Sequence, residues 1–466
     1  MQYTSTRGEA PQLDFGDVLL TGLASDGGLY LPESWPQLDL HDFGPNAPYA
    51  DIAVDVMWPF VEGAIDRGAF EEMVADAYAS FEHPDVTPLV HLEDDLWLLE
   101  LFHGPTLAFK DVALQLVGRL FDYELSKRSD RITIVGATSG DTGSAAIEAC
   151  RDREAVDIFI LHPHGRVSEV QRRQMTTVDS SNVFNIAVEG TFDDCQDLVK
   201  AMFADEAFRS SIRLGAVNSI NWARVMAQIV YYVVAAQRFG TSRPINFAVP
   251  TGNFGNVFAG WAARQMGLAT NGFIVGSNRN DILARFFESG ELRAEDVVPS
   301  LSPSMDIQVS SNLERLLFEL YGRNGSMVAD MMTTFRAEKN VRIDEDHYRS
   351  LRQQWQGARI DDDGEHGTKS IIADVYERTN MILDPHTAVG VGAARKLGVG
   401  HTTVALATAH PAKFPDAVEA AIGIRPELPS RLGDLFDRTE RYDVLANDLA
   451  SIQQHITARA RITTGS

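Results

Sequence analysis

Cysteine is nearly absent from this 466-residue chain: there are two, Cys150 and Cys195, and no CxxC pair. Neither a disulfide framework nor a thiolate zinc site is indicated, and a reducing compartment fits. Long apolar runs are missing too. The longest, around "IVYYVVAA", falls well short of the roughly 20 residues that a bilayer span needs. The opening stretch "MQYTSTRGEAPQLDFGD" carries no apolar targeting core, so a cytoplasmic protein is expected. Positive charge is scarce, with 41 Lys and Arg against 65 Asp and Glu and a net charge of −24. That balance argues against nucleic acid or an anionic membrane as partner, because both need a basic footprint. An anionic small molecule would need a positive potential made locally, inside a site. Repeats and low-complexity tracts are also lacking. The composition, 44% hydrophobic and 23% charged, is that of a folded globular chain long enough for about three domains.

The first ninety or so residues read as their own unit. In "DVLLTGLASDGGLYLPESWP" short apolar segments are punctuated by Gly-Gly and Pro, and the helical stretch "FEEMVADAYASF" follows. From about residue 96 the pattern becomes β-branched runs, "ITIVGA", "VDIFIL", "INFAVP" and "GFIVGS", each followed by a helix-like segment. That alternation predicts parallel sheets in an α/β architecture. The final stretch, "LGDLFDRTERYDVLANDLASIQQHI", has helical spacing, and "IDDDGEHG" reads as an exposed acidic loop.

One lysine stands out. In "GPTLAFKDVALQL", a helical wheel from Phe109 puts Phe109, Val112, Ala113, Leu116, Val117, Leu120 and Phe121 in one apolar sector, and Lys110 falls inside it. Asp111, Gln115, Arg119 and Asp122 take the opposite face, which is expected to be solvated. A lysine is almost never fully buried unless something pairs with it or consumes its charge. Snorkelling of the ammonium to water is the alternative.

Three segments offer anion-binding chemistry. "ITIVGATSGDTGSAAIEAC" runs from a strand through Thr138, Ser139, Gly140, Asp141, Thr142 and Gly143 into an Ala-rich helix. This is the place where open α/β sheets bind ligands and where free N–H groups suit a carboxylate or phosphate. A plain turn capped by Asp141 or Thr142 would read the same way. "INFAVPTGNFGNVFAGWAARQ" repeats the arrangement around Gly252, Asn253, Phe254, Gly255 and Asn256, as a phosphate nest or as a structural turn. "VNSINWARV" places Asn218, Ser219, Asn221 and Arg224 before an apolar helix, as a set of phosphate donors or as a helix start with a surface arginine. No Walker A loop or GxSxG motif is present in these segments. "HPHG" at His162 lacks further metal ligands and reads as a loop, and "AVGVGAARKLG" has the wrong glycine spacing for a dinucleotide fingerprint.

Together, "HGPTLAFKD", "GATSGDTG", "VNSINWAR", "PTGNFGN" and "LATAHPAKFP" resemble the threonine synthase family of the longer bacterial and fungal type. These are pyridoxal phosphate enzymes of the tryptophan synthase β fold. The resemblance extends from "YTSTRG" near the N-terminus through "AHPAKFP". It implies an α/β protein of pyridoxal phosphate fold type II. Two parallel-sheet lobes are expected, with an N-terminal domain at 1–92, a catalytic core at 93–430 whose small lobe spans about 111–240, and a helical C-terminal segment at 431–466. By the same resemblance Lys110 is the catalytic residue that holds the cofactor covalently, and Gly252, Asn253, Phe254, Gly255 and Asn256 cradle its phosphate. Asp141 lies against the ring, where related enzymes of the fold often carry asparagine. Thr408 supplies the hydroxyl beside the ring nitrogen. Thr138, Ser139 and Thr142 serve the substrate carboxylate, while Ser219, Asn221 and Arg224 serve its phosphate. Lys413 has no assigned role. The implied reaction turns O-phosphohomoserine and water into threonine and phosphate in a monomer or homodimer; a phospho-lyase releasing 2-oxobutyrate and ammonia is the alternative.

Overall fold

A computed structural model of the chain describes residues 1–39, 43–44, 47–215, 217–240, 242–398 and 400–461. The β-branched runs form two sheets. In the larger, the strands lie in the order Trp355–Arg359, Thr270–Ser277, Ile245–Pro250, Thr403–Ala407, Leu96–Glu100, Leu89–Glu93. All neighbours are parallel except the last pair, which is antiparallel. In the smaller sheet the order is Asp443–Ala446, Val183–Glu189, Val156–Pro163, Ile132–Ala137, Leu214–Gly215, with every pair parallel. Strands of parallel sheets are covered on both faces, which is why their sequences are continuously apolar. Val156–Pro163, Ile245–Pro250 and Thr403–Ala407 are buried at every residue.

The N-terminal residues pack into the same core as the lobes. Tyr3, Trp35 and Phe60 close around the ring of Trp222, with centroid distances of 6.1, 5.9 and 5.5 Å. At the other end, the closing segment contributes the helix Leu449–Thr457 and also a strand, Asp443–Ala446, that extends the small sheet. In the acidic loop, residues 363–366 are exposed, while Asp362 turns inward to accept from the Leu301 N–H at 3.3 Å.

The helix Lys110–Arg128 departs from the amphipathic expectation. Asp111 and Gln115, placed by the wheel on a solvated face, are buried along with Lys110. The reason is tertiary: the helix is covered by Arg67–Tyr78, Asp141–Cys150 and Trp222–Phe239, so it has neighbours on several sides. It packs tightly against Asp141–Cys150 at Gly118, where an added Cβ would lie 2.1 Å from the Ala149 carbonyl oxygen. This contact sets the distance between the helix that starts at Lys110 and the helix that starts at Asp141. Gly118→Ala should therefore destabilise the protein by about 1–3 kcal/mol through overpacking. A lowered urea midpoint is the expected readout, and an unchanged midpoint would contradict this role for the contact.

Candidate active site

The three candidate anion-binding segments lie at the carboxyl ends of parallel strands or at helix starts; the first contacts Lys110, the third acts on it through Arg224, and Asn312 joins the second to the third. Lys110 is the first residue of its helix and is 7% exposed. Its Nζ lies 3.5 Å from Asp141 Oδ2. Burial lowers its proton affinity; Asp141 opposes this, while Lys413 and Arg224 add to it. The buried amine has Asp141 as its carboxylate contact, and no route to water by snorkelling is needed.

Asp141 opens the helix that follows Ile132–Ala137. Lys413 Nζ reaches its Oδ1 at 3.0 Å, the Gln171 amide donates to the same oxygen at 2.8 Å, and Ser304 Oγ donates to Oδ2 at 3.3 Å. Burial alone would raise this carboxyl. Lys413 first, then Lys110, His386 and the Gln171 amide overcome that and hold it well below the ordinary carboxylate range. The preceding Gly140 has φ +140°, and an added Cβ there would lie 2.4 Å from the Gln171 side chain, so this turn admits glycine alone.

Thr138 also braces the turn it stands on. Its Oγ1 accepts the N–H groups of Gly140 and Gly143 at 2.9 and 2.8 Å, bracing the loop from within. Ser139 and Thr142 are half-buried on the same turn. Among the described residues, the N–H groups of Ser139, Asp141 and Thr142 have no hydrogen-bond acceptor, and these are the free donors of this helix start.

The second segment follows Ile245–Pro250. Phe254 adopts a left-handed conformation, φ 64°, at the cap of the helix Gly255–Gln265. None of the N–H groups of residues 252–256 has an acceptor among the described residues. Asn256 Oδ1 takes the hydroxyls of Tyr231 and Tyr232 at 2.5 and 2.9 Å, while its Nδ2 is buried without a partner. A cluster of aligned, unsatisfied donors is an anion nest.

In the third segment, Asn221 caps the helix Trp222–Phe239 through Oδ1 and donates Nδ2 to the Leu19 carbonyl at 2.8 Å. Both ends of its amide are thus structural. Ser219 is half-buried, and its carbonyl accepts from Asn312. Arg224 is 4% exposed, with Nε and Nη1 buried and unpartnered and no carboxylate contact among the described residues. Burial pulls its guanidinium down to about 10. A buried arginine without a counter-ion is costly unless an anion arrives to pair with it.

Thr408 follows the strand Thr403–Ala407 and is 5% exposed. Its N–H donates to Thr387 Oγ1 at 3.2 Å, and its carbonyl accepts from Phe109 N–H at 2.9 Å, directly beside Lys110. Thr387 in turn donates to Asp384. Asp384 also accepts from His386 Nδ1 at 2.9 Å, and His386 Nε2 accepts the Ser304 N–H at 3.3 Å.

Several members of this site carry no local signal in the sequence. Ser304 and Asn312 come from the stretch between two helices and bridge the lobes. The Asn312 amide donates to the Asn253 carbonyl at 2.9 Å and the Ser219 carbonyl at 3.1 Å, joining two anion-binding segments. Its Oδ1 accepts from fully buried Arg315, which also donates to Tyr30 O and Ile220 O. Next to it, Glu314 accepts from Thr6 and Arg7 in "YTSTRG". The N-terminal stretch is therefore tied to both segments. His162, by contrast, ends a strand, and no set of three potential metal ligands exists among the described residues.

The chain is similar to known proteins over nearly its whole length. The family model described as pyridoxal-phosphate dependent enzyme matches residues 81–341, with the threonine synthase N terminus at 2–78 and the threonine synthase C-terminal region at 387–456. The chain is 54% identical to the threonine synthase of Pseudomonas aeruginosa, with 98% of each chain covered. It superposes on the pyridoxal phosphate-bound threonine synthase of Brucella melitensis with a TM-score of 0.96 at 49% identity, covering 99% of this chain and 100% of that one. For the yeast threonine synthase the TM-score is 0.93 at 38% identity, with 98% of each chain covered. The residues present fit the cofactor: a buried amine for its aldehyde, and a nest of unsatisfied donors with the orphaned Asn256 Nδ2 for its phosphate. By fold and sequence, this chain belongs to the threonine synthase family of pyridoxal-phosphate dependent enzymes.

Proposed function

We propose that this chain converts O-phospho-L-homoserine and water to L-threonine and phosphate. The observation that carries this reading is Arg224: a buried guanidinium whose Nε and Nη1 lack partners, in the field of Lys110 and on a different helix from the donor nest at 252–256. One phosphate group would fill the nest; a second anion, on the substrate, is needed for Arg224. The reading is of a monomer or a homodimer acting on a small molecule in the cytoplasm. No helix among the described residues is long and apolar enough to cross a membrane.

Lys110 would hold pyridoxal phosphate covalently, residues 252–256 its phosphate, and the Thr408 hydroxyl its ring nitrogen, with Asp141 against the ring. When bound, the cofactor supplies an electron sink for the pair left when a proton departs from the substrate. A threonine at the ring nitrogen, rather than a carboxylate, leaves that nitrogen neutral and favours elimination and addition over transamination. The free N–H groups of Ser139, Asp141 and Thr142 suit the substrate carboxylate, with Thr138 holding the loop in shape. Arg224 grips the substrate phosphate, with Ser219 beside it and Asn221 fixing the helix start. Lys110 Nζ takes the Cα proton, then a Cβ proton as phosphate leaves Cγ; a proton is returned at Cγ, which makes Cβ electrophilic, water adds at Cβ with its second proton passing to the released phosphate, and the last proton is returned at Cα. The domain division at about residues 92 and 430 goes with this reading.

Two variants test it. Lys110→Ala should lose both the visible cofactor band and turnover; substantial turnover would remove lysine from the chemistry. Arg224→Met removes a buried charge that has no protein partner, so without phosphate it should melt no lower than wild type. Inorganic phosphate should raise the melting temperature of the cofactor-loaded wild type and leave the variant unmoved. Its kcat/KM for O-phosphohomoserine should fall by about 2–5 kcal/mol, on the order of 30- to 4,000-fold. An unchanged kcat/KM would sink the assignment.

A further inference from the structure

Lys413 is fully buried, at 0% exposure, and the reaction above does not use it. Its ammonium makes two contacts, one to Asp141 Oδ1 at 3.0 Å and one to the Thr106 carbonyl at 2.6 Å. Thr106 lies four residues before Lys110 and binds Asp111 through both its N–H and its hydroxyl, at 2.7 Å each. Lys413 therefore touches the turn that presents Lys110 and the carboxylate that faces it. An apolar side chain could fill the same space without the cost of desolvating an ammonium, so the charge itself needs a use.

We propose that Lys413 is a positioning residue: by taking one oxygen of Asp141 it leaves Lys110 with a share of a divided counter-charge, and so keeps the Lys110 amine available to bond the cofactor. This rests on the cofactor reading above. The groups facing the pair come from every surrounding element. Asp141 and Gln171 belong to the small lobe, and Lys110 and Asp111 to the lysine helix. Arg224 comes from the helix Trp222–Phe239; Ser304 and His386, backed by Asp384, come from the large lobe. Burial pushes the Asp111 carboxyl up to about 6, with Thr106 and Lys413 opposing the rise and Glu148 adding to it, so Asp111 is a poor substitute counter-ion. Of the charged groups that act on Lys110, Asp141 is the one that favours its protonated form, and Lys413 and Arg224 disfavour it. Removing Lys413 frees Asp141 to close on Lys110, and both changes favour the ammonium.

The test is a pH titration of the visible band of the cofactor-loaded full-length protein. Lys413→Met should move the midpoint upward by about one pH unit or more, a tenfold change in proton affinity. Lys413→Arg should return it toward the wild-type value. If Lys413→Met fails to fold, Lys413→Gln takes its place, with the same upward shift expected. Because the effect runs through Asp141, the shift should shrink when the substitution is made on an Asp141→Asn background. An unshifted midpoint would overturn the proposal, and so would a shift of equal size on both backgrounds, since a direct field effect would need no Asp141. A wild type that acquires no visible band would instead overturn the cofactor reading, and this inference with it.

Discussion

Three buried cations, Lys110, Lys413 and Arg224, are served by one carboxylate, Asp141, which contacts the two lysines and not Arg224, and most of the site follows from that imbalance. Excess positive charge inside a protein is tolerated only where something supplies the missing anions or removes a proton. Here the deficit is divided. Asp141 is shared by two lysines, and in the proposed reading Lys110 bonds the cofactor aldehyde and Arg224 pairs with a substrate phosphate. The exterior makes the contrast sharper, because the chain as a whole carries a net charge of −24. Its surface field does not draw anions, so the attraction has to be local, built from buried side chains and from helix starts whose N–H groups lack acceptors.

Holding such a cluster together takes more than one lobe. Asp141 stands on the small sheet's side; Lys413, Ser304 and His386 stand on the large sheet's side, and their hydrogen bonds to or around Asp141 cross between them. The close contact at Gly118 fixes the two helices from which Lys110 and Asp141 arise. Further out, Arg315 and Asn312 clamp the carbonyls of the two remaining anion-binding segments, and the N-terminal stretch secures that clamp through Glu314. An N-terminal unit that looks separable along the chain is thus part of what sets the spacing of the site.

The fold and the site were unequally legible in the sequence. Strand–turn–helix alternation pointed to parallel sheets because buried parallel strands must be apolar throughout, and the donor-rich turns stood at their ends. The wheel around Lys110 identified a lysine out of place but misjudged Asp111 and Gln115, since periodicity cannot report how many neighbours cover a helix. Thr138 and Asn221 were recognised as members of their turns, yet their side chains are spent on the turns themselves. Arg224 was less visible: a single arginine before a helix reads equally as surface, and only burial without a partner marks it. Ser304, Asn312, Arg315 and the Asp384–His386 pair were not legible, because each acts through contacts between residues far apart in the chain.

The central claim is that this arrangement keeps the reacting substrate in place until water has added at Cβ. The most direct measurement is the ratio of threonine to 2-oxobutyrate formed when the cofactor-loaded protein is given O-phosphohomoserine. The account predicts predominantly threonine, with one phosphate released per turnover. Predominantly 2-oxobutyrate, with ammonia, would leave the fold and cofactor standing and contradict the claim at the water-addition step.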